Sequence, residues 1–187
     1  MLQDSGVNYL GIEHLPPFIT RAILVDVAGY VGDDPLPESF EITTNVMEQT
    51  LEHQGMSIDD IESGDVVLVY TGWANAYFEA GDGDFYYSRQ PGLTVDTVFD
   101  VFGPKKVVMI GVDNWGIDQY SAGSALNIPI HVHWIVCHGG FLYENLKLVE
   151  WVEDARNGEV PFLGGFYYSP AQIEGGVGGL GTPMVVV

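Results

Sequence analysis

Short apolar runs rich in valine and isoleucine constrain the fold of this chain more than any other feature. Such runs, about four to eight residues long and bounded by glycine or polar residues, are typical of buried β-strands. We therefore predict strands spread over the whole length of the chain. The predicted strands cover residues 21–27, 65–70, 105–112, 140–144 and 184–187.

Helical patterns lie between these predicted strands. In the first of them, a threonine at 43 or 44 can cap a helix whose apolar residues recur at helical spacing until Gly55. Similar stretches cover 94–102 and 146–155. Strands that alternate with helices predict an α/β fold.

The remaining segments have no helical period. We expect strand or loop from Pro161 onward, where glycine and aromatic residues dominate, and an exposed loop over the polar stretch 79–89. The length of 187 residues suits one domain, so we predict a single domain over 1–187.

Charge and composition exclude several classes of function. The chain has 26 acidic and 6 basic residues and a formal net charge of −20, which would repel nucleic acid and anionic lipid. A single cysteine excludes an internal disulfide, and we see neither a signal peptide nor an apolar run long enough to span a bilayer. We expect a cytoplasmic protein whose partner is a small-molecule substrate.

Histidines and acids mark two candidate sites. Three of the five histidines fall at 131, 133 and 138, close to Cys137, and imidazole is a ligand that Zn²⁺ and Mn²⁺ accept. Asp26 lies at the end of one predicted buried strand and Asp113 directly follows another, at positions where α/β sites form. In both cases the residues could instead serve packing or capping, and the pattern leaves these alternatives open.

Several segments, taken in order, resemble one family. The most recognisable is Gly64-Asp65-Val66-Val67-Leu68, followed by Thr71-Gly72-Trp73. Further matching segments lie at 9–27, 91–93, 111–116, 131–146 and 181–183. Together they resemble the cyclase family of metal-dependent hydrolases, which includes bacterial kynurenine formamidases and isatin hydrolases.

The resemblance implies a fold, a cofactor and a set of site residues. The family has a swivelling β/β/α domain, forms homo-oligomers, and uses Zn²⁺ or Mn²⁺ to hydrolyse small amides, lactams or lactones. By analogy His131 would be a metal ligand, and Glu144 would ligate the metal or act in catalysis on its water. Independently of the resemblance, Trp73, Asp113 and Trp115 follow predicted buried strands, so we expect them to line a substrate pocket at the carboxyl edge of the sheet; both tryptophans could instead be core or interface residues.

One part of the family pattern is absent. The family's main metal motif, histidine-x-glycine-threonine-(histidine or glutamine)-x-aspartate, lies upstream of the segment matching Tyr9, where this sequence has eight residues and no histidine. We therefore expect the chain to correspond to the C-terminal two-thirds of the family domain, with a divalent metal only if the site is completed.

Two other functions remain as alternatives at this point. The chain could be a non-catalytic relative that binds a small aromatic ligand or a partner subunit. It could also be a local metal-binding module built from His131, His133, Cys137 and His138.

Overall fold

The computed structural model describes residues 2–3, 6–7, 11–120 and 127–187. Its strands are β1 (Leu2–Gln3), β2 (Gly6–Val7), β3 (Phe18–Asp26), β4 (Glu41–Ile42), β5 (Val66–Tyr70), β6 (Gly92–Leu93), β7 (Met109–Val112), β8 (Phe141–Tyr143), β9 (Leu163–Tyr168) and β10 (Met184–Val186). Its helices are α1 (Val27–Val31), α2 (Thr44–His53), α3 (Gly83–Ser88), α4 (residues 95–105), α5 (residues 129–138) and α6 (Val149–Arg156). Within α4 and α5, the segments Val98–Phe102 and Val132–His138 are π-helical.

A six-stranded sheet organises the described part of the chain, in the order β10-β9-β3-β5-β7-β8. β3, β5, β7 and β8 run parallel, whereas β9 and β10 pair antiparallel at one side. All residues of β5 and β7 are buried, which explains their continuous apolar sequence. The parallel arrangement brings the ends of β3, β5 and β7 to one edge of the sheet.

The predicted mixed α/β fold is confirmed, and most strand positions are close to those expected. The third predicted strand is shorter than expected, because Lys106 adopts a positive φ of 56° and the preceding residues end α4. β7 therefore begins at Met109 rather than at 105. The region after Pro161, expected as strand or loop, contains β9, which pairs with β3.

The expectation of an exposed loop over 79–89 is right for the exposure of most of these residues but wrong for their conformation. This segment contains α3, which Asp82 caps by accepting a hydrogen bond from the Phe85 amide. The Tyr86 side chain in this helix is fully buried. Aromatic rings pack around this side chain, since the Phe78 and Tyr87 rings lie 5.4 and 5.1 Å from the Tyr86 ring, measured between centroids.

An apolar patch remains exposed on one face of the antiparallel part of the sheet, formed by Ile19, Tyr167, Met184 and Val186. None of the helices in the described residues combines the length and the apolar character needed to cross a bilayer.

Candidate functional site

Three side chains form a hydrogen-bonded row in the described structure. Asp118 lies on the loop after β7, His131 on α5, and Glu144 directly after β8. His131 Nδ1 is 2.7 Å from Asp118 Oδ2, and His131 Nε2 is 3.2 Å from Glu144 Oε1. The imidazole is therefore held at both nitrogens by carboxylates.

Backbone contacts fix both carboxylates of this row. Asp118 Oδ1 accepts a hydrogen bond of 2.7 Å from the Ile130 amide, at the beginning of α5. Glu144 Oε1 accepts one of 2.9 Å from the Ile117 amide. Because each acid is tied to the main chain, the His131 ring has one preferred orientation.

The electrostatics of the row favour a charged imidazole. Hydrogen bonding to Asp118 and, second, to Glu144 raises the pKa of His131 to about 9, against the opposing effect of burial. At neutral pH and without a metal, His131 is an imidazolium between two carboxylates. A metal ion at Nε2 would have to displace this proton.

A cavity of about 520 Å³ opens beside His131 and Glu144. Its mostly apolar wall includes a group of four aromatic rings: the Phe18 ring lies 5.1 Å from the Phe141 ring and 6.1 Å from the Tyr168 ring, and Tyr143 lies 5.1 Å from Tyr168, measured between centroids. A concave, mostly apolar wall with a few polar groups is typical of small-molecule sites.

The His131–Glu144 pair fits part of a metal shell. Two donors about 2.1 Å from one ion are separated by about 3.0 Å in octahedral and about 3.4 Å in tetrahedral geometry, and the observed 3.2 Å lies between these values. Asp118 on the other ring nitrogen is the arrangement typical of metal-ligating histidines. The described residues nevertheless hold no group of three or more histidine, cysteine or acidic side chains that could bind a metal.

The residues predicted for the substrate pocket lie elsewhere. Trp73 is fully buried, and its Nε1 donates to the Tyr86 carbonyl at 3.1 Å. Trp115 packs edge-on against Tyr87, with 6.1 Å between ring centroids. Neither indole lines the cavity beside His131. Their role in substrate binding stays a prediction.

Asp113 also lies apart from this cavity. Its Oδ1 accepts hydrogen bonds from the Thr71 amide and hydroxyl, at 2.9 and 2.7 Å. Desolvation raises the pKa of this buried carboxyl to about 6, although the hydrogen bonds from Thr71 oppose the shift. Asp113 lines a separate small cavity at the carboxyl edge of the sheet.

The second acid at this edge, Asp26, has a structural role. Its Oδ1 accepts a 2.9 Å hydrogen bond from the Gly29 amide and so caps α1. Arg156 from α6 binds both carboxylate oxygens, at 2.6 and 2.8 Å. Of the two alternatives for Asp26, the structure therefore favours capping.

The other histidines of α5 do not join the row. His133 and His138 pack against Phe99, at ring-centroid distances of 5.0 and 6.3 Å. His138 also stacks on Trp134, and Cys137 is exposed. A metal module built from His131, His133, Cys137 and His138 is not formed, since no such group exists in the described part of the chain.

Sequence reasoning missed Asp118. The available signal was a carboxylate five residues after Asp113, in the loop that follows a buried strand. Its contact with His131 depends on how the chain returns through α5, which no local pattern specifies.

Comparisons with known proteins identify the family and the fold of this chain. The family model described as "Putative cyclase" matches residues 5–119. No curated protein sequence matches the chain. A crystal structure described as a novel cyclase is 23% identical, with a TM-score of 0.81 over 95% of this chain and 56% of that one.

Two further solved structures are named as hydrolases. An isatin hydrolase bound to the product analogue thioisatinate is 21% identical, with a TM-score of 0.68 over 90% of this chain and 60% of that one. A predicted metal-dependent hydrolase from Bacillus stearothermophilus is 17% identical, with a TM-score of 0.54 over 89% of this chain and 63% of that one. At these identities the similarity shows a shared fold.

This chain spans between 56% and 63% of the length of these three solved proteins. The family model covers more than half of the sequence, including the GDVVL run and β7 with the Asp113 that follows it. The chain therefore belongs to the cyclase family.

Proposed function

We propose that this chain contributes the His131–Glu144 part of a metal-dependent hydrolase centre that cleaves a small amide, lactam or lactone. The observation that carries the proposal is the row Asp118–His131–Glu144 at 2.7 and 3.2 Å beside an aromatic cavity. The hydrolase names of solved proteins with the same fold support it.

Each residue of the row has a distinct part in the proposal. Asp118 fixes the His131 ring by accepting a hydrogen bond from Nδ1–H, which keeps that proton on Nδ1 and leaves the Nε2 lone pair for a metal. Glu144 offers a carboxylate oxygen on the same side, as a second ligand or as a hydrogen-bond acceptor for water. A bound Zn²⁺ or Mn²⁺ would supply a Lewis acid for a carbonyl group and lower the pKa of water.

The cavity suggests the kind of substrate. Phe18, Phe141, Tyr143 and Tyr168 present ring faces and edges to a space that also contains Glu144. An aromatic ring carrying an amide or lactam would stack on this wall while its carbonyl reaches the polar end. Isatin and N-formylkynurenine both have this shape and the required bond.

A complete centre needs donors beyond the described residues. Two ligands leave at least two positions of a tetrahedral shell to water or to other groups, which weakens binding. We propose that the histidines and aspartate of the family's upstream motif, or another chain, complete the shell.

The test measures hydrolysis of isatin and N-formylkynurenine with added Zn²⁺ or Mn²⁺. We expect turnover when the chain is joined to a family segment carrying the upstream motif, and little turnover from the 187 residues alone. In the joined protein, His131→Ala and Glu144→Ala should each lower kcat/KM by at least about a hundredfold with little change in Tm. His133→Ala is the matched control on the same helix and should retain activity.

Wild-type turnover by both variants would show that the assigned roles are wrong. Efficient turnover by the chain alone would refute the incomplete centre.

One observation favours a second candidate function. His131 already has both ring nitrogens satisfied by carboxylates, so the fold accommodates this row without a metal. A non-catalytic relative could use the same aromatic cavity to bind a small aromatic ligand or a partner subunit. Saturable binding of isatin that is independent of metal and of His131 would support this alternative.

A further inference from the structure

A second, smaller cavity lies at the carboxyl edge of the sheet. Its volume is about 70 Å³, which is enough for one small group but not for an aromatic substrate. The loop 113–117 separates it from the row described above: Asp113 begins this loop, and Ile117, at its end, contacts Glu144. The cavity is thus a site of its own.

An unsatisfied acceptor lies in the wall of this cavity. The Asp113 residue is 2% exposed, and its Oδ2 has no hydrogen-bond partner among the described residues. The other oxygen, Oδ1, is occupied by the two donors of Thr71. The Ala74 amide lies near enough to lower the pKa of the carboxyl, yet it forms no hydrogen bond with Oδ2. A hydrogen-bond donor would satisfy this buried oxygen, and a donor that carries positive charge forms the stronger bond with a carboxylate.

Other polar groups in the wall are already engaged. Tyr86 Oη lies 2.7 Å from Asn145 Oδ1 and 3.2 Å from the Asp113 carbonyl, so its hydroxyl donates to Asn145 rather than to Oδ2. The Lys147 ammonium is 2.9 Å from Glu150 Oε1, on an exposed part of the surface. Neither group satisfies Asp113 Oδ2.

Aromatic rings complete the wall. Tyr70, Phe78 and Tyr86 line the cavity, and the Phe78 and Tyr86 rings are 5.4 Å apart between centroids. Ring faces attract organic cations, and the attraction grows when the cation loses water. A bare metal cation such as K⁺ would instead need several oxygen ligands, whereas Asp113 Oδ2 is the one buried acceptor of this wall that has no partner among the described residues.

We propose that this cavity binds a small primary alkylammonium ion, with the N–H groups donating to Asp113 Oδ2 and the alkyl group against the rings of Tyr70, Phe78 and Tyr86. Glu79, at the rim, adds a second negative charge. The site does not depend on the metal centre, so it can be tested whether or not the proposed hydrolase activity is found.

The test is an NMR shift titration of the purified chain with methylammonium chloride at constant ionic strength. Parallel titrations use NaCl, KCl and ethanol, which control for screening, metal cations and neutral molecules of similar size. We expect saturable shifts for the Trp73 indole N–H, which is bonded to the Tyr86 carbonyl, with methylammonium only.

Three variants sharpen the test. Asp113→Asn keeps an acceptor for Thr71 but loses the charge, and should weaken binding at least about tenfold. Phe78→Leu removes one ring and should weaken binding about three- to tenfold. Tyr87→Leu is the matched control, because Tyr87 and Phe78 are both 53% exposed and both contact Tyr86, but only Phe78 lines the cavity.

Several outcomes would overturn the proposal. These are the absence of saturable shifts in the wild type, equal binding of K⁺, and wild-type affinity in Phe78→Leu. Phe78 is largely exposed, so this variant remains informative even if Asp113→Asn does not fold. Binding that appears only in Lys147→Met would show that the chain's own lysine occupies the cavity, and would also refute the proposal.

Discussion

Replacing Arg156 with methionine should destabilise the fold, because it leaves a buried carboxylate without its counter-charge. Asp26 is 4% exposed and accepts two hydrogen bonds from the Arg156 guanidinium, at 2.6 and 2.8 Å. After Arg156→Met, the Gly29 amide is the remaining donor to its side chain among the described residues. Breaking a buried pair in this way costs about 3–5 kcal/mol.

Solvent reduces this value, since the Arg156 side chain is 33% exposed. We therefore expect the free energy of unfolding to fall by about 2–3 kcal/mol. For a chain of 187 residues this corresponds to a Tm lower by about 4–12 °C.

The measurement is urea unfolding followed by tryptophan fluorescence, with Arg89→Met as the matched control. Arg89 also pairs with a carboxylate, at 2.8 Å from Glu38, and also lies over an aromatic ring, 5.2 Å from the Phe85 centroid. Arg156 lies 5.5 Å from the Tyr70 centroid. Both changes remove one positive charge. Arg156 differs in pairing with the buried Asp26 and also with Asp34, at 2.8 Å, whereas Glu38 is 54% exposed, so the control should cost at most about 1 kcal/mol.

A double-mutant cycle separates the charge pair from other effects. Asp26→Asn removes the buried charge, so the loss in the variant carrying both changes should be smaller than the sum of the single losses by about 1–3 kcal/mol. Equal losses for Arg156→Met and Arg89→Met, or strictly additive losses in the cycle, would refute the reasoning.

Three further predictions concern the metal, pH and assembly. The 187-residue chain should retain less than one Zn²⁺ or Mn²⁺ after dialysis by elemental analysis, and its apparent affinity should rise about tenfold per pH unit below pH 9, because the metal displaces the His131 proton. Stoichiometric metal at pH 6 would contradict this. The pKa of Asp113 is raised to about 6, so the folded chain binds this proton more tightly than the unfolded chain, and the Asp113 contribution to stability should improve by about 2–3 kcal/mol as pH falls from 7 to 4. In Asp113→Asn this contribution to the pH dependence of the unfolding free energy should vanish, and an unchanged pH dependence would be contrary evidence. The apolar patch containing Ile19 and Tyr167 should support a homo-oligomer by light scattering, which Tyr167→Glu should dissociate; a concentration-independent wild-type monomer would disprove this.

The strands were largely predictable from the sequence because strands that are buried on both faces have an uninterrupted run of apolar residues. Val66 to Tyr70 are all buried, so every position is apolar and the pattern cannot be confused with a solvent-facing segment. The loop predicted over 79–89 was wrong because aromatic packing buries one side chain, Tyr86, within this polar stretch. Asp82 and Asp84 suggest solvent, whereas Tyr86 between Phe78 and Tyr87 is fully buried.

The candidate site was predictable only where residues keep the family order. The resemblance assigns His131 and Glu144 to the metal site; the structure places them 3.2 Å apart, and the matched family model ends at residue 119, before both. The resemblance did not identify Asp118, whose contact with His131 arises from the packing of α5 against the loop after β7. The separation of Trp73 from this site has a similar origin, because its indole turns inward to the Tyr86 carbonyl instead of toward the cavity.

Asp118 combines two tasks in one carboxylate, since one oxygen bonds the Ile130 amide and the other bonds His131 Nδ1. An asparagine at this position could keep its oxygen on the amide and direct its NH₂ group at the imidazole. That NH₂ group would favour the opposite tautomer, with the proton on Nε2 facing Glu144 and no lone pair left for a metal. A single isosteric change would thus preserve the beginning of α5 while reversing which nitrogen of His131 can act as a base or ligand.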